Sequence, residues 1–175
     1  SLDMMVTPQQ RLEMYNRTWR TVRERKIFIA DFWNSGTASS GCISAGRPGG
    51  YFYITWDGEI TPCAFVPYSV GNIYDIFQTG GNLNTILQSE FFRRIRQWQN
   101  DYGYGQPAEN VDNWLCPCVI RDHFDVLFKA VLDTQAKPID GEAVDALADP
   151  GYHSGMTAYG NNYYHLSNKV WAEHY

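Results

Sequence analysis

The sequence contains no apolar run that approaches the ~18 residues needed to cross a bilayer. It also lacks the charged and then apolar opening of a secretory signal peptide. These two absences predict a cytoplasmic protein that has no membrane partner. Internal repeats and low-complexity tracts are missing as well. With 175 residues, the chain is long enough for one ordinary domain with a core, or for a domain plus part of another.

Charged residues are sparse, since they make up 19% of the chain, whereas hydrophobic residues make up 44% and aromatic residues 15%. This composition excludes disorder driven by low hydropathy and high charge, so the chain should fold. The net charge is −5, but a basic stretch lies near the start and contains Arg11, Arg17, Arg20, Arg23, Arg25 and Lys26. This stretch could contact nucleic acid. Its apolar stripe and Glu24 favour a solvated helix face instead, so no nucleic-acid partner is expected.

The first 35 residues predict a helix followed by a strand. Thr7 and Pro8 are typical of a helix start, and apolar residues then recur on one face as far as residue 26. Residues 27–32 are rich in branched and aromatic side chains, which is typical of a buried strand. If these elements end a larger α/β body, the strand has lost its neighbour. We then expect dimerisation or strand exchange through its unpaired edge.

Further along, the pattern changes to a hairpin followed by helices. Residues 51–56 and 59–61 predict two strands joined by Asp57 and Gly58, a dipeptide typical of a tight turn in which both positions have positive φ. Apolar stripes then predict helices over residues 83–99 and 122–133 and a last one through Val170, and a short acidic helix is expected near residues 140–148. The expected fold class is α+β, with a small β-hairpin and helices around a cysteine-rich site.

The four cysteines surround this hairpin and the helix after it. Cys42 precedes the hairpin, Cys63 ends it, and Cys116 and Cys118 follow the helix. Four thiolates satisfy either an iron–sulfur cluster or a structural zinc ion. Cys116 and Cys118 flank a proline that favours extended backbone, in which their Cα atoms lie about 6.6 Å apart. This separation suits a wide four-iron cluster better than a zinc knuckle, while disulfides and unligated core cysteines remain open.

The order, spacing and type of these residues resemble a known family. A loop holds Gly41-Cys42-Ile43-Ser44, and the hairpin ends in Asp57-Gly58-Glu59-Ile60-Thr61-Pro62-Cys63. A helix over residues 89–96 and the segment Leu115-Cys116-Pro117-Cys118 complete the pattern. Residues 40–130 thus resemble the SPASM/twitch auxiliary-cluster domain, which follows the barrel in radical S-adenosylmethionine (SAM) enzymes. The resemblance implies one 4Fe-4S cluster, with the metal ligands Cys42, Cys63, Cys116 and Cys118.

The resemblance also implies limits on function. The sequence lacks the motif Cys, three residues, Cys, two residues, Cys that binds the SAM-activating cluster in these enzymes. It has four cysteines, whereas the longer SPASM form has seven, so at most one auxiliary cluster fits. The chain therefore resembles a C-terminal fragment of a radical SAM oxidoreductase, inactive alone. A missing N-terminal barrel would be its partner and would bind S-adenosylmethionine, and the substrate would be a peptide, a protein or a small metabolite.

On this interpretation the chain has three parts. Residues 1–35 are the helix–strand remnant of a partial (β/α) barrel, and residues 136–175 are a C-terminal helical extension. Residues 36–135 are the auxiliary-cluster domain, which would serve electron transfer or structural support. The alternative from a different class is a structural or interaction module without redox activity, in which all four cysteines bind zinc and the metal supplies folding energy.

Charged residues beside the predicted ligands allow two interpretations. Arg47 and Arg121 either stabilise the negative charge of a cluster or are ordinary surface arginines. Asp122 and His123 either support the ligands through hydrogen bonds or are a helix N-cap aspartate and a surface histidine. The sequence favours the surface interpretation in both cases.

Overall fold

The computed structural model describes residues 4–29 and 36–175. Within these residues, helices are combined with two antiparallel two-stranded sheets, which confirms the predicted α+β class. The helices are α1 (Pro8–Arg25), α2 (Gly36–Ser39), α3 (Ile73–Gln78), α4 (Leu83–Leu87), α5 (Glu90–Gln99), α6 (Phe124–Thr134), α7 (Gly141–Ala148) and α8 (Pro150–His174). The strands are β1 (Tyr53–Ile54), β2 (Ile60–Thr61), β3 (Tyr68–Ser69) and β4 (Lys137–Pro138). None of the helices in the described part of the chain is long and apolar enough to cross a membrane.

The first helix begins where the sequence predicts it. Thr7 caps α1 through a reciprocal pair of hydrogen bonds with Gln10, and Pro8 occupies the first turn. The helix ends at Arg25 and is capped by Lys26, whose φ of 55° is left-handed. Residues 27–29 then lie outside any strand and are exposed, so the predicted strand is wrong for these residues. Its remaining positions, 30–32, lie outside the described residues, and dimerisation through its edge stays a prediction.

The predicted hairpin is present with a different turn. β1 pairs with β2 in the register Tyr53↔Thr61 and Ile54↔Ile60. Gly58 alone has positive φ, at 94°, so the prediction of two such positions is wrong. The Gly58 amide donates to the Thr55 carbonyl at 3.0 Å, and the Thr55 hydroxyl accepts the Glu59 amide at 2.8 Å. The turn is therefore a three-residue loop with a glycine bulge, and it delivers Cys63 at the end of β2.

The helix predicted over residues 83–99 is two helices. Asn82 and Thr85 form a capping box that begins α4, and extended backbone at Ser89 (ψ 145°) separates α4 from α5. Phe91, Phe92 and Ile95 of α5 are buried in the core. A π-helical turn, Asn100–Tyr104, continues from α5. Because of the break between α4 and α5, the apolar stripe predicted over residues 83–99 forms one continuous helical face only within α5.

The remaining predicted helices are present. A second sheet, which was not predicted from the sequence, connects them to the hairpin region. The predicted helices over 122–133 and 140–148 are α6 and α7, and the last one is α8. β3 pairs with β4 in the register Tyr68↔Pro138 and Ser69↔Lys137. α8 packs against α1, α6 and α7. The first helix and the last helix therefore lie together on one side of the cysteine-bearing loops.

Candidate metal centre

One cavity of about 830 Å³ has three of the four predicted ligands in its wall. These are Cys42, Cys63 and Cys118. Met14 and Thr18 of α1 also line the cavity, together with Ile29, Tyr51, Phe65 and Pro117. Met14 and Phe65 are 46% and 53% exposed, so they lie at an opening of the cavity rather than at its base. The cavity is largely apolar, and the three thiols are the main groups in its wall that could bind a metal.

Arg47 fixes the loop that carries Cys42. Its Nε donates to the Cys42 carbonyl at 2.6 Å, and its Nη2 donates to the carbonyls of Ser39 and Ser40. The guanidinium group also lies 4.0 Å from the centre of the Tyr104 ring. Arg47 is 5% exposed, so it is not the surface arginine that the sequence favoured. Four separate contacts of one side chain hold this ligand loop in a defined shape.

Cys63 is held at the end of the hairpin by local hydrogen bonds. The Thr61 hydroxyl donates to the Cys63 carbonyl at 2.9 Å, and the Val66 amide donates to the same oxygen at 3.2 Å. Burial, and then the nearby Cys42, raise the pKa of the Cys63 thiol to about 11. The metal-free protein therefore keeps this thiol protonated at neutral pH, and binding a metal there must release a proton.

Cys118 is held by the carboxylate of Asp122. The Cys118 amide donates to Asp122 Oδ2 at 3.1 Å, and the Asp122 amide donates back to the Cys118 carbonyl at 2.8 Å. Arg11 donates to both carboxylate oxygens, at 2.5 Å and 3.1 Å, and Arg121 donates to Oδ1 at 3.2 Å. Burial alone would raise the pKa of Asp122, but Arg11 and Arg121 hold it well below its usual range. Asp122 is therefore an ionised support for the Cys118 loop, whereas the N-cap of α6 is His123.

Cys116 has a different environment, although it lies two residues from Cys118. It does not line the cavity, and its Sγ lies 3.2 Å from Ser167 Oγ on α8. The residue is fully buried, and burial raises the pKa of its thiol to about 12. His123 supports the same loop, because its Nε2 lies 2.8 Å from the Cys116 carbonyl and its ring packs against Tyr102 and Trp98. The structure thus brings three of the predicted ligands to one cavity and places the fourth beside it.

The donor chemistry of the cavity fits an iron–sulfur cluster. All four cysteines are free thiols. Among the described residues, no three His, Cys, Asp or Glu side chains converge closely enough to share one metal ion. A structural zinc ion requires such convergence, with sulfur atoms at about 2.3 Å from one point. The thiolates of an iron–sulfur cluster bind separate irons, and the three thiols that line this cavity are the type of ligand that such a cluster takes.

Two side chains near the ligands were missed by the sequence analysis. Ser44 Oγ lies 3.1 Å from Cys42 Sγ, and Gln99 Nε2 lies 3.2 Å from Ser44 Oγ. Ser44 is two residues after Cys42, and this spacing puts both side chains on one side of an extended backbone. The spacing was therefore the sequence signal that could have identified Ser44 as a neighbour of the Cys42 thiol. Gln99 lies 55 positions from Ser44 and gives no local signal of its contact.

Part of the chain matches a known protein family. Residues 42–109 match the family model of SPASM, described as an iron–sulfur cluster-binding domain. This confirms the resemblance to the SPASM/twitch group over a range that includes Cys42 and Cys63 and ends before Cys116 and Cys118. Searches of the curated proteins and of the solved structures found no match to the chain. The matched family binds iron–sulfur clusters, in agreement with the thiol-lined cavity.

Proposed function

We propose, from the SPASM match over residues 42–109, that this chain holds one auxiliary 4Fe-4S cluster through Cys42, Cys63 and Cys118. The observation that carries the proposal is that these three thiols line one apolar cavity. The proposal leaves out Cys116, because its thiol contacts Ser167 and does not line the cavity; its role as a fourth ligand stays a prediction of the sequence. Three protein thiolates would leave one iron of a four-iron cluster for a ligand from outside this chain.

The residues around the cavity would bind and orient the cluster. When bound, a 4Fe-4S cluster supplies one-electron transfer, at a potential set by its ligands, hydrogen bonds and exposure to solvent. Arg47 fixes the loop of Cys42, and Asp122 fixes the backbone of Cys118. The lining is largely apolar, so it would lower the polarity around the metal-binding thiols. The chain's own contribution is therefore to position thiolates and to control the polarity around them.

The wider role that we propose is the auxiliary-cluster part of a radical SAM oxidoreductase, in electron transfer or structural support. The sequence contains no Cys, three residues, Cys, two residues, Cys motif, so the radical-generating step would belong to a barrel that is not in this sequence. That barrel would be the partner of this chain and the place where S-adenosylmethionine binds. The substrate would be a peptide, a protein or a small metabolite that meets the barrel.

Anaerobic reconstitution of the full chain with iron and sulfide, in the presence of equimolar zinc, tests the proposal. We expect about four irons per chain, matching sulfide, and the broad visible absorbance of a cluster. The matched control is the same protein with all thiols alkylated before reconstitution, which should remain colourless. Stoichiometric zinc without iron would support a zinc-binding structural module instead, and a protein that takes up neither metal would also contradict the proposal.

A further inference from the structure

A short chain of hydrogen bonds leads from α5 to the thiol of Cys42. Gln99 Nε2 lies 3.0 Å from the Ser44 carbonyl and 3.2 Å from Ser44 Oγ, and Ser44 Oγ lies 3.1 Å from Cys42 Sγ. We propose that Ser44, oriented by Gln99, donates a hydrogen bond to the Cys42 thiolate and raises the reduction potential of the bound cluster. This inference rests on the proposed function, because it concerns one of the three proposed ligands.

The contacts of Gln99 fix the direction of each hydrogen bond. A backbone carbonyl only accepts, so the Gln99 atom that lies 3.0 Å from the Ser44 carbonyl must be the amide nitrogen. The same nitrogen reaches Ser44 Oγ and donates to it as well. A hydroxyl group has one hydrogen, and the contact left for it is Cys42 Sγ. A cysteine that ligates a metal is a thiolate and can only accept, so the direction from Ser44 to Cys42 is the one that metal binding requires.

Burial makes this hydrogen bond strong and keeps it in place. Ser44 is 2% exposed and Gln99 is 3% exposed, so water does not compete for either side chain. The backbone on both sides of Ser44 is also held. The Ala45 amide donates to the Pro62 carbonyl at 2.8 Å, and the Tyr51 amide donates to the Ile43 carbonyl at 2.9 Å. The Ser44 hydroxyl is therefore a fixed donor in the wall of the cavity.

A fixed donor at a ligand sulfur has a predictable effect on reduction. Reduction adds one electron to the cluster and its thiolates, so the reduced state is the more negative one. A hydrogen bond donated to a ligand sulfur stabilises the more negative state and raises the potential. Removing the Ser44 hydroxyl must then make reduction harder, without changing the number of thiols that hold the metal.

The chain contains a matched control for this effect. Asn113 Nδ2 lies 3.0 Å from Ser167 Oγ, and Ser167 Oγ lies 3.2 Å from Cys116 Sγ. This arrangement again joins an amide, a serine hydroxyl and a cysteine thiol, and Ser167 is fully buried. Cys116 does not line the cavity, however. Loss of the Ser167 hydroxyl should therefore leave the potential of the cluster unchanged.

The experiment is a dithionite titration of the anaerobically reconstituted full chain, followed by electron paramagnetic resonance. For Ser44→Ala we expect a lower midpoint potential at full iron content. The expected loss in the equilibrium constant for reduction is on the order of tenfold, which corresponds to about 59 mV for one electron. Ser44→Thr keeps a hydroxyl and should restore most of the potential, and Ser167→Ala should titrate like the wild type.

A second variant keeps the test decisive if Ser44→Ala loads iron poorly. Gln99→Met keeps the Ser44 hydroxyl but removes the donor that orients it, so we expect a smaller shift in the same direction. Wild-type potentials in the iron-loaded Ser44→Ala and Gln99→Met variants would overturn the inference while leaving the proposed function intact. Equal shifts in Ser44→Ala and Ser167→Ala would also overturn it. A wild-type chain that takes up no iron would instead refute the proposed function itself.

Discussion

At the scale of single residues, the ion pair between Arg11 and Asp122 connects the first helix to the loop of Cys118. Both side chains are almost completely buried, and the guanidinium group lies 3.5 Å from the centre of the Tyr163 ring on α8. Arg11 also donates to the Leu115 carbonyl at 3.3 Å. One arginine therefore contacts α8, the cysteine loop and the carboxylate that accepts the Cys118 amide. Its loss would disturb all three at once.

Replacing Arg11 tests the strength of this connection. Arg11→Met leaves the charge of Asp122 buried with less compensation, and breaking a buried pair in this way typically costs about 3–5 kcal/mol of unfolding free energy. Urea unfolding of the metal-free protein under reducing conditions measures the change. The matched control is Arg17→Met in the same helix, because the Arg17–Glu13 pair is solvent-exposed and such pairs contribute little. Equal midpoints for the two variants would show that the buried pair does not support the fold.

The candidate site shows what the sequence could predict at this scale. The order and spacing of the cysteines predicted one shared site for Cys42, Cys63, Cys116 and Cys118, and three of them line one cavity. This spacing could not predict that Cys116 lies beside Ser167, because Ser167 is 51 positions away on α8 and gives no local signal of this contact. Arg11 was expected on a solvated face, but a helical periodicity does not reveal that a buried carboxylate lies opposite one of its positions.

At the scale of elements, the hairpin is the structure that presents Cys63, and its turn depends on Gly58. Gly58 has a φ of 94°, and a Cβ built there would lie 2.7 Å from Asn72 Oδ1 and 2.9 Å from the Tyr74 ring. Asn72 in turn donates to the Asp57 carbonyl at 2.9 Å. The turn is thus pressed against the start of α3, and this contact fixes the orientation of the hairpin.

A pair of glycine variants separates these two effects. Gly58→Ala should lower the unfolding free energy by about 1–3 kcal/mol through backbone strain, and further through its collision with α3. Gly49→Ala is the control, because Gly49 also has positive φ, at 72°, but has open space around its Cβ position. Urea unfolding of both variants should give the larger loss for Gly58→Ala. A loss at least as large for Gly49→Ala would mean that contact with α3 is unimportant.

The elements themselves were largely predictable where the signal is local. The capping residues of α1, the position of the hairpin and the apolar stripe of α6 act within a few positions, and these predictions are confirmed. The pairing of Tyr68 with Pro138 depends on how the chain returns after α6, so no local pattern reveals it. The break at Ser89 was not predicted, because the apolar stripe continues through this position although the helix does not.

At the scale of the whole molecule, the first helix is part of the candidate site. α1 packs against α8 and contributes Met14 and Thr18 to the cavity of the three cysteines. The division of the chain at residues 35 and 135 stays a prediction. The described contacts show, however, that the first and last helices meet beside the cysteine loops. Metal binding and folding should therefore be linked, because α1 lines the cavity and supports the Cys118 loop through the Arg11–Asp122 pair.

The central claim is that three thiols, and not four, hold one cluster in this chain. The most direct test is the iron content and visible spectrum of four single variants, Cys42→Ser, Cys63→Ser, Cys118→Ser and Cys116→Ser, after identical anaerobic reconstitution. Circular dichroism confirms that each is folded. We expect the first three to lose most of their iron and absorbance, and Cys116→Ser to keep both. Loss of iron in a folded Cys116→Ser variant, or full iron in any of the other three, would contradict this account.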